Sequence, residues 1–129
     1  MVVVDTDILV DAGQGSPGPA AANVAQLARS GELAVSAITV YELLQGSRTS
    51  VERLERAHAF LAGATILDLT GAAAEMAAAV NRELERRGER IGAPDTLIAG
   101  ICLDAGLPIL TRNVRHFARV PGLEVLGLE

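Results

Sequence analysis

Short apolar runs alternate with segments of helical period, and that alternation leaves this chain few folds to adopt. Val2 to Val4, Leu33 to Ser36, Thr65 to Leu69, Pro108 to Leu110 and Leu123 to Leu126 are bounded by Gly, Pro or capping residues and read as strands. Runs apolar on both faces suit a parallel sheet covered on two sides. Between them lie helical segments. Ala20 to Arg29 follows Pro17 and Pro19 and stops at Gly31. Ala37 to Gln45 follows the N-cap Ser36 and ends at Gly46. Val51 to Leu61 follows Thr49, with Glu52 at capping-box spacing. Ala72 to Arg87 is capped by Thr70 and ended by Gly88, and Ala73, Met76, Ala77, Val80 and Leu84 form its apolar face. Pro94 opens a helix that ends at Gly106, with Leu97, Ile98, Ile101 and Cys102 inward, and a short helical turn follows Asn113. Gly13 to Pro19 reads as a loop. Strands alternating with helices predict an α/β fold: a parallel sheet with helices on both faces and right-handed crossovers. In such sheets the working site lies beyond the carboxyl ends of the strands.

At 129 residues, half of them hydrophobic, the chain has the size of one domain and an apolar content that excludes disorder. No stretch approaches the ~18 apolar residues of a membrane span. The opening MVVVD is too short for a signal h-region and lacks a basic lead-in, so the expected compartment is the cytoplasm, without a membrane association. The single cysteine excludes a disulfide framework and a Cys-based zinc site. The net charge is −5, every base is Arg, and the aromatics are Tyr41, Phe60 and Phe117 alone. A diffuse basic surface or an aromatic stacking platform for nucleic acid is therefore excluded. Contact with RNA or DNA would need local Arg clusters and a metal. The arginines do cluster: Arg48, Arg53, Arg56; Arg82, Arg86, Arg87, Arg90; and Arg112, Arg115, Arg119. The first two groups read as solvated helix faces.

Four residues distant in sequence could converge at the strand ends. Asp5 ends the first strand, Glu42 follows the second, Asp95 opens the helix before the fourth, and Asn113 follows the fourth. Taken alone, Asp95 is an ordinary first-turn acid and Glu42 a solvated one, although Glu42 sits among Val40, Tyr41, Leu43 and Leu44. Asp5, after an apolar run, is the hardest to explain as structure. Together the carboxylates repel, and a divalent cation resolves the repulsion. Mg²⁺ and Mn²⁺ take oxygen ligands and keep several waters, and such an ion can activate water for attack on a phosphodiester.

These pieces, in this order, resemble the PIN-domain ribonucleases, most closely the VapC-type toxins of toxin–antitoxin pairs. The resemblance rests on Val4-Asp5-Thr6 with Ile8-Leu9, on Glu42-Leu43 with Gly46, and on Pro94-Asp95-Thr96-Leu97-Ile98-Ala99. It continues through Thr111-Arg112-Asn113 with His116-Phe117 to Pro121-Gly122-Leu123. It implies one PIN domain over residues 1–129, with a five-stranded sheet of order 3-2-1-4-5. It implies Mg²⁺- or Mn²⁺-dependent endonucleolytic cleavage of structured RNA such as tRNA, a homodimer, and a VapB-type antitoxin as partner. Asp5, Glu42 and Asp95 match the metal-holding acids, and Thr6 and Thr111 match hydroxyls that support them. Relatives often carry a further acid where Asn113 and His116 stand. Asn113 can ligate through its carbonyl oxygen or hold a water but brings no charge, so one firm metal site is expected. His116 would carry a proton or meet a phosphate; alternatively it is a structural residue. Arg112 and Arg115 would contact phosphate, or else pair with surface acids.

Two other readings stand beside this one. The run Val4-Asp5-Thr6-Asp7-Ile8-Leu9 also resembles the first motif of haloacid-dehalogenase phosphatases, with Asp5 as nucleophile and Asp7 as general acid. That chemistry wants a lysine, which the chain lacks, and a later acid pair, for which Asp95 and the mid-helix Asp104 are poor candidates; Asp7 then reads as a first-turn helix acid. A PIN-like module that binds RNA or protein without cutting is the other, supported by Asn113. Cys102 reads as core, and His58 belongs to no constellation.

Overall fold

The computed structural model describes residues 1–14 and 18–128, so residues 15–17 of the expected Gly13–Pro19 loop lie outside the described residues. The elements run β1 (Val2–Val4), α1 (Thr6–Ala12), α2 (Pro19–Arg29), β2 (Leu33–Ser36), α3 (Ala37–Gly46), α4 (Val51–Ala62), β3 (Thr65–Leu67), α5 (Gly71–Arg86), α6 (Ala93–Ala105), β4 (Ile109–Leu110), α7 (Val114–Phe117) and β5 (Val125–Leu126). The strands form one five-stranded sheet of order β3-β2-β1-β4-β5. Every pairing is parallel: Val3 faces Ala34 on one side and Ile109 on the other, and Ile109 in turn faces Val125. Both the parallel sheet and its order are as expected.

The side-chain period of two splits the central strand between two cores. Val3 joins Ala34 and Ile109 under α5, α6 and the buried Phe117. Val4 joins Leu33, Val35 and Leu110 under α1 to α4, through Ile8, Leu9, Val24, Leu43 and Ala57. Helices therefore cover both faces. Among the described residues no helix is long and apolar enough to cross a membrane.

The caps follow the sequence with one correction. Ser36 and Thr70 cap α3 and α5 through their side chains, and Gly106 ends α6 at φ +67°. The cap of α4 is Ser50 rather than Thr49: its oxygen accepts from the Arg53 N–H, and Glu52 is a first-turn acid. Two apolar readings also change. β3 stops at Leu67, and Ile66 and Leu69 stand 40% and 39% exposed, because β3 is an edge strand with one neighbour. Met76 is exposed rather than part of the α5 stripe, which narrows to Ala73, Ala77, Val80 and Leu84 against α6.

Candidate active site

The sheet delivers the candidate residues to the carboxyl ends of its inner strands. β1 runs straight into Asp5, whose N–H donates to Leu110 O at 2.9 Å before the chain turns into α1. Asp5 is 6% exposed, and both of its oxygens are held. The Thr6 N–H donates to Oδ1 at 2.8 Å, and the fully buried Thr111 hydroxyl, just past β4, donates to Oδ2 at 2.8 Å. Thr111 Oγ1 also accepts from the Asn113 N–H at 2.9 Å, which ties the segment after β4 to Asp5.

Glu42 is reached by a chain of hydroxyls. The Thr6 hydroxyl donates to Glu42 Oε1 at 2.7 Å. Each hydroxyl has one proton, so the 3.0 Å contact between Thr6 and Thr39 runs from Thr39 to Thr6, and the 3.2 Å contact between Ser36 and Thr39 from Ser36 to Thr39. Ser36 and Thr39 are fully buried. The chain fixes the Glu42 carboxylate from behind and leaves its other oxygen outside this network. The sequence marked Thr6 and Thr111; it did not mark Thr39, which looks like any β-branched residue in an apolar helix. Thr39→Val keeps the shape and breaks the chain. Loss of such an outer partner typically costs 10–100-fold in metal affinity or activity. We expect about a tenfold loss in whatever activity the site supports, checked by initial rates, with the far-UV spectrum unchanged.

Asp5, Thr6, Asp7, Glu42, Asp95 and Asn113 line one open cavity of about 670 Å³, with Arg112 at its wall. Asp95 lies in the first turn of α6, as the sequence predicts. Asp7 is the acid that sequence reasoning left outside. It is a first-turn acid of α1, but its buried Oδ1 has no hydrogen-bond partner among the described residues. Asp5, Asp7 and Asp95 are disfavoured as anions. Burial pushes Asp5 up to about 7, against the hydrogen bonds from Thr111 and Thr6 and with the charges of Asp7 and Asp95. Asp7 is raised by burial and by Asp11, although the backbone of Ile8 and Arg112 and the Arg112 charge oppose it. Asp95 is raised by burial, opposed by His116 and reinforced by Glu42 and Asp7.

This 3-2-1-4-5 parallel sheet has known counterparts. Residues 2–123 match the PIN domain family. The chain belongs to that family. It is 35% identical over 96 residues to the tRNA(fMet)-specific endonuclease VapC of Shigella flexneri, covering 72% of this chain and 73% of that one. It is 34% identical over 125 residues to ribonuclease VapC19 of Mycobacterium tuberculosis, covering 96% and 98%. The fold superposes on VapBC2 from Rickettsia felis, a complex bound to a fragment of its promoter DNA, with TM-score 0.88, 27% identity and full coverage of both chains.

The PIN fold also sorts the remaining candidates. His116 Nδ1 lies 2.9 Å from Asn113 Nδ2, within hydrogen-bond distance. Its 3.6 Å separation from Asp95 Oδ2 is too long for a hydrogen bond. Arg112 is ion-paired with Asp11 at the cavity wall, and Arg115 is exposed with no ion pair among the described residues. Asp104 is exposed and accepts from Thr70 at 3.1 Å, outside the cavity, which leaves the phosphatase scheme without its acid pair. Cys102 is core, its thiol pushed up to about 12 by burial. His58 is exposed on α4 and lines no part of the cavity.

Proposed function

We propose that this chain is a Mg²⁺- or Mn²⁺-dependent endoribonuclease acting on structured RNA, and the toxin of a VapBC-type pair. One observation carries the reading: Asp5, Asp7, Glu42 and Asp95 gather around one cavity at the strand ends, and burial and mutual repulsion disfavour the anions of Asp5, Asp7 and Asp95. A cation opposite them removes both penalties. The donor set is all oxygen, which suits Mg²⁺ or Mn²⁺ rather than zinc. Among the described residues no three acidic, His or Cys side chains form a ready-made cage. Mg²⁺ binds through one or two carboxylates and keeps its waters until a phosphate arrives.

In this reading Asp5 and Asp95 hold the ion, with Glu42 beside it and Asn113 holding a water. Asp7 supplies the further carboxylate that Asn113 does not. When bound, the ion activates water and offsets charge building on the phosphodiester. The chain's own work is positional. Thr6 N–H and Thr111 keep both Asp5 oxygens in place, the Ser36–Thr39–Thr6 chain aims Glu42, and the Thr111–Asn113 link sets the far edge. Arg112, through its Asp11 partner, is placed to meet a phosphate at the cavity wall. His116 holds the Asn113 amide, and Arg115 extends the basic edge beyond it. A VapB-type antitoxin, supported by the VapBC complex that the fold matches, and a homodimer complete the proposal. The whole chain, 1–129, is read as the one PIN domain.

The test is cleavage of a structured RNA pool, tRNA included, by the protein freed of antitoxin, in Mg²⁺ or Mn²⁺ against EDTA, with Asp95→Asn alongside. We expect metal-dependent cutting that falls at least ~100-fold in the variant, more than the loss of an outer partner brings. A folded wild-type protein that binds RNA but cuts nothing, equally well with Asp95→Asn, would establish the non-catalytic module instead.

A further inference from the structure

The acid cavity does not end at Glu42. A groove of about 330 Å³ continues from it between α1, α3 and α4, sharing Val10, Gln14 and Glu42 with the cavity. Its floor is apolar, with Leu9, Leu43 and Phe60, and Arg53 and Arg56 of α4 form its charged wall. These are arginines that the sequence alone assigns to a solvated helix face. Their pairing sets them apart from most of the others. Arg86, Arg87, Arg90 and Arg119 are ion-paired to Glu83, Glu85 and Glu89 behind the sheet, and Arg112 to Asp11. Arg53 and Arg56 make no ion pair among the described residues, although Glu52 and Glu55 neighbour them in sequence.

We propose that this groove is a substrate subsite: Arg53 and Arg56 take the RNA phosphates next to the one in the acid cavity, and the apolar floor takes the attached nucleoside. The inference rests on the nuclease reading above and adds the direction in which the strand leaves the cleft, along α4. The charge balance favours such a site. On a chain of net charge −5 whose cavity is lined by acids, a polyanion is held best where guanidinium groups are both free and adjacent. Arg53 and Arg56 meet both conditions, and two adjacent guanidiniums match successive phosphates of one strand. The continuity through Glu42 favours RNA over an acidic peptide, because a strand held at the acids must leave past one of the cavity's ends.

The test separates binding from cutting. In the Asp95→Asn background, a short labelled single-stranded RNA is titrated by fluorescence anisotropy at several salt concentrations. Arg53→Gln/Arg56→Gln should weaken binding about tenfold and lower the slope of log K against log salt by about 1.4, near 0.7 for each phosphate that is no longer neutralised. Arg53→Lys/Arg56→Lys should keep the slope. Arg82→Gln, an exposed arginine of α5 on the other face of the sheet, should change neither quantity. An unchanged slope in the Gln pair overturns the subsite. So does an unchanged RNA affinity accompanied by a fall in affinity for an acidic peptide, which would make the groove a peptide site. Because no cleavage is read, failure of the nuclease reading shows separately: a wild type that never cuts, yet binds RNA through these arginines, keeps the subsite and loses the catalysis.

Discussion

Asp5→Asn should abolish cleavage and, in EDTA at pH 8, make the protein more stable than wild type. The stability half follows from the position of the carboxyl. Asp5 is 6% exposed, and burial raises it from 3.8 to about 7. Between those values the native state binds a proton that the unfolded chain has lost, so stability falls as pH rises. Its contribution is fully present below 3.8 and is lost as pH climbs through about 7. At 1.36 kcal/mol per tenfold change in proton affinity, the ceiling is about 4 kcal/mol. Asn removes the charge: Oδ1 can still accept from Thr6 N–H, while the Thr111 bond reverses, with Nδ2 donating to Thr111 Oγ1. A gain of about 2–4 kcal/mol at pH 8 corresponds to roughly 7–15 °C in Tm for a chain of this size. At pH 4 the two proteins should melt together. Thermal melts in EDTA from pH 4 to 8 decide it. The wild type should decline with pH and the variant only weakly, through Asp95 and Asp7, whose carboxyls are raised in the same direction. Parallel pH profiles would mean that Asp5 is already a comfortable anion, and a cation opposite it would then have no buried charge to relieve.

What the sequence made legible, and what it hid, divide along the range of the interactions. The strands, the caps at Ser36 and Thr70 and the position of Asp95 are set within a few residues, so local patterns disclose them. Asp5 was readable because an acid at the end of a buried run has few places to go. The strand order came from family resemblance rather than from any pattern, since nothing local distinguishes which neighbour a parallel strand takes. The hydroxyl chain was hidden for the same reason. Thr6 meets Thr39 and Glu42 across separations of 33 and 36 residues, and none of the three is unusual where it stands. Asp7 shows how a correct local reading can be incomplete. It is a first-turn acid, yet α1 leaves β1 so abruptly that its first turn forms the cavity wall. Arg53 and Arg56 are exposed, as a solvated face should be, but α4 packs on α3 so that this face borders the cavity.

Gly100→Ala should destabilise the fold by about 2–3 kcal/mol, against the roughly 1 kcal/mol gain that helix propensity alone predicts in a helix interior. Sterics decide the sign. A Cβ on Gly100 would lie 2.5 Å from Ala73 O, 2.7 Å from Ala77 Cβ and 2.9 Å from Ala77 N. Two of those atoms are α5 backbone, so no rotamer change relieves the clash, and the helices must separate. A single truncated side chain could be absorbed locally; a displaced helix carries everything on it. Here α6 carries Asp95 in its first turn and Ile98, Ala99 and Cys102 in the core beneath the sheet. The same shift that lowers Tm by about 5–10 °C should therefore lower cleavage, since a misplacement of about 1 Å can cost 10²-fold in rate. Gly71→Ala is the control: nothing lies within 4 Å of its Cβ, and it should be neutral or slightly stabilising. Ala77→Gly added to Gly100→Ala should restore only part of the stability, because the clash with Ala73 O remains. A Gly100→Ala protein that melts like wild type and cuts like wild type would show that α5 and α6 can part freely. The spacing of Asp95 from Asp5 would then be held by the strand ends alone, through Thr111 and the β1–β4 pairing, and not by the helix packing behind them.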